Sequence, residues 1–66
     1  MNFEELDAVQ LTAPVPGDGL EAGAVGTVVH VFHTPYLAYE VEFVDDQGAT
    51  IAMTTLRPEQ IEAYTG

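Results

Sequence analysis

Gly23-Ala24-Val25-Gly26-Thr27-Val28-Val29-His30-Val31 is the run that decides the fold. Branched side chains lose rotamer freedom in a helix and pack well on a pleated surface, so the valines and threonine here specify a strand. The bracketing glycines make that strand bent and strongly twisted, and Gly26 is the expected site of a bulge. The strand should run from Ala24 to about His33, with apolar residues on both faces.

Working towards the C-terminus, Tyr39, Val41 and Phe43 alternate with Glu40 and Glu42. This period of two marks a half-buried antiparallel strand with its glutamates in water. Asp45-Asp46-Gln47-Gly48 has the composition of a tight connection, and the β-branched run Thr50 to Leu56 supplies a fourth strand, so the third and fourth form a hairpin. Pro58 suits the first position of a short helical or 3₁₀ turn continuing through Glu59-Gln60-Ile61, followed by an extended Glu62-Ala63-Tyr64. Working towards the N-terminus, Asp7 to Thr12 places Val9 and Leu11 on one face of a first strand, preceded at Phe3 to Asp7 by a turn of helix or a loose arm. Between the first two strands, Pro14, Pro16, Gly17 and Gly19 forbid regular structure to about Gly23, and Leu20 is the one apolar residue able to anchor that loop inward.

Short strands, a long first loop, tighter later ones and a late helical turn predict an all-β fold. The expected architecture is a small SH3-like (KOW-like) barrel of four to five antiparallel strands in a closed, twisted sheet, with residues 1–66 forming a single domain. A chain of 66 residues buries only about 60% of its unfolded surface, which leaves room for a partner or a second copy to add stability. Homo-oligomerisation is therefore one expectation.

Charge narrows the partners. Eleven acidic residues face one basic residue, Arg57, for a formal net charge of −10. Nucleic acid is recognised by lysines and arginines that displace phosphate counterions, and one arginine cannot supply several such contacts. Neither phosphate-mediated nucleic-acid binding nor a membrane partner is expected, and a basic protein partner is favoured. The chain has no cysteine, no run resembling a membrane span and no basic start of the signal-peptide kind, from which a cytoplasmic location is expected.

The order of elements resembles the small KOW modules, whose Gly-x-x-Gly-x-Val strand is matched by Gly23 to Val28. A wider resemblance rests on Leu6-Asp7-x-Val9, on Gly23-x-Val25-Gly26-Thr27-Val28-Val29, on Tyr39-Glu40-Val41-Glu42-Phe43-Val44-Asp45 and on Thr55-Leu56. With these motifs at these separations, the chain resembles short bacterial proteins classed as a domain of unknown function (DUF4926-like). The resemblance implies a stand-alone SH3-like barrel and transfers no catalytic residue. Some relatives are thought to be encoded beside toxins, so it also implies an antitoxin or immunity role. The chain departs from the resemblance at His33-Thr34-Pro35-Tyr36-Leu37-Ala38, where a short polar or glycine-rich turn is the usual pattern.

An apolar tip at that place costs solvation unless it is covered. Tyr36 and Leu37 either fold back over the barrel mouth or join Phe32 and Tyr39 in a contact surface, a role that suits tyrosine because it offers area at low entropy cost. Glu40 and Glu42 share a face and read as a solvated surface or an acidic recognition stripe. Phe32, Tyr36, Leu37, Tyr39, Glu40 and Glu42 are thus the candidate protein-binding residues.

Catalytic groups are scarce. Serine and cysteine are both absent, and no threonine stands beside a recognisable activating base. His30 and His33 point to opposite faces of an extended segment, and Asp45-Asp46-Gln47-Gly48 lacks the spaced ligands of a calcium loop, so neither a metal nor a cofactor is expected. Arg57 is expected to pair with an internal carboxylate or to cap nearby carbonyls. These readings favour a non-enzymatic protein-interaction module of antitoxin or immunity type. A structural or regulatory subunit of a larger assembly is the alternative, and a carboxylate-based enzyme or small-molecule binder the remote third.

Overall fold

The computed structural model describes residues 2–66 and is all-β: five antiparallel strands in one sheet, with two single-turn 3₁₀ helices. The strands are β1 (Ala8–Leu11), β2 (Val25–Phe32), β3 (Ala38–Val44), β4 (Thr50–Leu56) and β5 (Ile61–Ala63). Their order across the sheet is β4-β3-β2-β1-β5. This arrangement agrees with a small barrel-like fold, but the expected closed sheet does not form, because β4 and β5 are not hydrogen-bonded to each other. The sheet therefore keeps two edges.

One cluster fills the concave side. Val9 and Leu11 of β1, Val28 of β2, Tyr39, Val41 and Phe43 of β3, Leu56 of β4 and Ile61 of β5 are buried together. Burying side chains of this size stabilises a fold by about 1.5–3 kcal/mol each, so their convergence is the main force opposing chain entropy. Leu20 joins the cluster, as its isolation in the long loop predicts. That loop is more regular than its prolines and glycines suggest. Val15 and Leu20 exchange backbone hydrogen bonds of 2.9 and 3.1 Å around a 3₁₀ turn at Pro16–Asp18.

Phe3 belongs to the core and not to a loose arm. Its backbone N–H donates to the Tyr39 hydroxyl at 3.1 Å, and the two rings meet edge to face with centroids 5.5 Å apart. The Leu6 N–H donates to the Val28 carbonyl at 2.7 Å and the Val28 N–H to that of Asp7 at 2.9 Å, fastening the N-terminal segment to β2. Phe3 thereby covers one end of the cluster.

Gly26 is not the site of the bulge. The register between β2 and β3 shifts between Val28 and His30, so the bulge falls at Val29. Gly26 serves a different need: a Cβ there would lie 2.7 Å from Val41 Cγ1, 2.8 Å from the Glu42 carbonyl oxygen and 2.9 Å from Phe43 Cδ1. Close approach of β2 to β3, and not chain bending, excludes a side chain.

The β3–β4 hairpin forms as its composition predicts. Asp45 Oδ1 accepts hydrogen bonds from the N–H groups of Gln47 (2.9 Å) and Ala49 (3.0 Å), while Gly48 takes the left-handed φ of 83° that a side chain disfavours. After β4, Pro58–Gln60 makes the expected 3₁₀ turn. Thr12 ties that turn to the end of β1, with its N–H donating to the Gln60 carbonyl and its hydroxyl to that of Glu59, both at 2.9 Å.

Candidate functional site

The side chains of β2, β3 and β4 that point away from the core make one continuous outer surface. Pairing places Thr27 opposite Glu42 and His30 opposite Glu40 across β2 and β3. Across β3 and β4 it places Glu40 opposite Thr55 and Glu42 opposite Met53. Glu40 and Glu42 therefore share a face, as their spacing predicts, and both are half-buried. Threonines of β4 hold them: Thr55 Oγ1 donates to Glu40 Oε1 at 2.5 Å, and Thr50 Oγ1 to Glu42 Oε2 at 2.6 Å. Both carboxylates thus lean over β4, each with a second oxygen left for another donor.

His30 stands on the same surface, its ring edge-on to Phe32 at 4.6 Å between centroids, with Nδ1 3.8 Å from Glu5 Oε2. The Glu5 contact is an ion pair only when the imidazole is protonated, and at this exposure it is worth little. His33 follows the end of β2 and borders a different hollow, with Asn2, Phe3, Val31 and Leu37. The two histidines do not meet. Among the described residues, no group of three or more His, Cys, Asp or Glu side chains could hold a metal ion.

At one end of the surface a groove of about 430 Å³ is lined by Phe32, Thr34, Pro35, Tyr36, Thr55 and Arg57, among others. Thr34–Pro35 is a cis peptide in its wall. Arg57 is placed here otherwise than expected. Among the described residues no carboxylate lies within 4.0 Å of it, and its guanidinium instead sits 5.8 Å from the centre of the Tyr36 ring. Such a cation–π contact at an exposed site is worth about 0.5–1 kcal/mol. The backbone of Arg57, by contrast, is committed to the 3₁₀ turn through its N–H to Gln60 Oε1 at 2.8 Å.

The aromatic candidates separate. Phe32 is 38% and Tyr36 58% exposed, so both rings are open to solvent. Tyr39 is 0% exposed and is removed from the contact surface: its ring is the centre of the core and its hydroxyl is taken by Phe3. Strand alternation puts Tyr39 on the face opposite Glu40, which is the physical reason one strand cannot lend both to one surface. Leu37 is half-buried and packs against the core, while its neighbour Tyr36 points out. The loop tip thus divides between covering the core and facing solvent.

Two apolar residues of this surface escaped the sequence reading. Ile51 is 57% and Met53 50% exposed on β4, alternating with the inward Ala52 and Leu56. The available signal was the presence of apolar side chains at both parities of Thr50–Leu56, only one of which a single core can bury.

Fold and surface together define a small antiparallel β domain with an acidic, partly apolar outer face. The chain belongs to the family described as Domain of unknown function (DUF4926), whose model matches residues 5–63. No curated protein and no solved structure matches it.

Proposed function

We propose that this protein is a non-enzymatic interaction module that binds a basic protein partner through the outer face of β2, β3 and β4, as an antitoxin or immunity protein would. The observation that carries the proposal is the coexistence on that face of oriented carboxylates, Glu40 and Glu42, with exposed Phe32, Tyr36, Ile51 and Met53. Carboxylates steer a cationic partner and fix its register, while aromatic and aliphatic area supplies the contact energy. The net charge of −10 extends the steering over the whole molecule. No helix among the described residues is long and apolar enough to cross a membrane, and a cytoplasmic setting suits a chain without cysteine.

Affinity purification at low salt, with elution by a salt step, tests the proposal. The expected result is a stoichiometric basic partner that is released at moderate ionic strength and is retained less by the double variant Glu40→Gln, Glu42→Gln. An acidic partner held regardless of salt would overturn it.

A further inference from the structure

We infer that the free edge of β4 is the docking element of this surface, and that the partner enters as an extended, basic segment pairing with β4 as a sixth strand. The inference rests on the proposed function and specifies how the partner is held.

Edge strands expose a row of unpaired N–H and C=O groups, and proteins ordinarily blunt them by shortness, proline, inward charge, a bulge or a covering segment. The two edges of this sheet differ on that criterion. β5 has only three residues, whereas β4 has seven, Thr50–Leu56, without a proline or a charged side chain. Among the described residues, no backbone hydrogen bond from outside the β3–β4 ladder reaches β4. Neither 3₁₀ turn pairs with it, and the turn at Pro58–Gln60 is drawn away to β1 through Thr12. The one blunting device on β4 is a bulge near its start, where Ile51 is the extra residue between the Val44–Thr50 and Phe43–Ala52 pairs; from Ala52 to Leu56 the ladder half is regular and open.

The surroundings decide what fits. Outward-facing side chains on β4 are Thr50, Met53 and Thr55, with the exposed Ile51 at the bulge, and behind them on β3 stand Glu40 and Glu42, tilted over β4 by Thr55 and Thr50. Neighbouring strands lie about 4.8 Å apart, so β3 would be about 10 Å from an incoming backbone. A lysine or arginine on the outer face of that strand spans the gap: its methylene stem lies along Ile51 or Met53 and its head reaches the second carboxylate oxygen of Glu40 or Glu42. A second copy of this chain is a poorer occupant. Its β4 would bring another Glu40 and Glu42 to the same seam, on a body already carrying −10. Charge complementarity therefore selects a strand with alternate basic residues.

The test uses capped synthetic peptides of the length of β4, followed by amide chemical shifts and hydrogen exchange on the intact protein. A peptide alternating lysine with valine is expected to shift the amides of Thr50–Leu56 and slow their exchange. The same peptide with its backbone amides methylated should bind at least about tenfold more weakly, since main-chain pairing supplies the affinity in this mode. Glu40→Gln with Glu42→Gln should weaken the unmethylated peptide by about threefold, the scale of exposed ion pairs. A peptide alternating glutamate with valine should not bind.

Equal binding of the methylated peptide, shifts spread over the acidic surface without a focus on β4, or no binding at millimolar peptide would each overturn the inference. So would concentration-dependent self-association that protects β4 without peptide. A basic, salt-released partner that leaves β4 exchange unchanged would sink strand addition while leaving the proposed function standing.

Discussion

β3 and β4 are neighbours of equal length, paired almost residue for residue, yet they answer to different constraints. β3 lies between two strands, buries Tyr39, Val41 and Phe43 on one face and turns outward two half-buried glutamates that threonines hold in place. β4 lies at the edge, where the exposed Ile51 and Met53 alternate with the partly buried Ala52 and Thr54. Hydrophobicity alone would have placed isoleucine and methionine inside before threonine. Register overrules it: Thr54 is opposite Val41 and faces the core, while Met53 is opposite Glu42 and cannot. Burial in this molecule follows position in the ladder first and side-chain type second.

The sharpest way to break that contrast is to empty β3. Phe43→Ala removes a ring that is 1% exposed, and comparable truncations cost about 3–5 kcal/mol, on the order of the whole stability expected of a domain this size. Circular dichroism and urea unfolding should find little folded protein. Gly26→Ala attacks the same strand from β2 by forcing a methyl against Val41, Glu42 and Phe43. Overpacking of that kind costs about 1–3 kcal/mol, and a shift in urea midpoint without a change in slope would record it. An unaltered midpoint would show that β2 can retreat from β3.

Tyr39→Phe keeps the ring and deletes only the acceptor for the Phe3 N–H, so about 1 kcal/mol should be lost. Faster exchange at that amide would locate the loss at the N-terminal segment. The smallest effect is expected on the neighbouring strand: Ile51→Thr keeps β propensity and deletes exposed apolar area, and should change stability by no more than about 0.5 kcal/mol. A much larger loss would mean that the outer face of β4 is covered in the free protein, which would also remove the edge from consideration as a docking element.

Much of this frame was legible in the residues. Alternation across Tyr39–Phe43, the Asp45–Gly48 connection, the limits of β4 and the turn at Pro58 depend on local chemistry, and local chemistry is written in adjacent positions. Leu20 was legible for a similar reason, being the largest apolar side chain in a loop of prolines, glycines and acids, although Val15 of the same loop also packs against the core. The candidate surface was read less completely. Period alone puts Glu40 and Glu42 on one face and Tyr39 on the other, so the alternation that identifies the strand already conflicts with grouping all three in one binding surface. Arg57 could not be placed at all from sequence, because its neighbour Tyr36 is brought near by the β2–β3 connection folding over the end of β4.

Composition, charge and the period of two determined that this chain forms short antiparallel strands with an acidic exterior, because each is a property of the residues themselves or of neighbours along the chain. Only the tertiary structure decided that Phe3 caps the core, that Gly26 is a contact point while the bulge falls at Val29, and that the sheet stops at β4 with Ile51 and Met53 uncovered. Those outcomes depend on which strands meet at long range and in what register, and the energy that settles them resides in contacts between residues the chain keeps far apart.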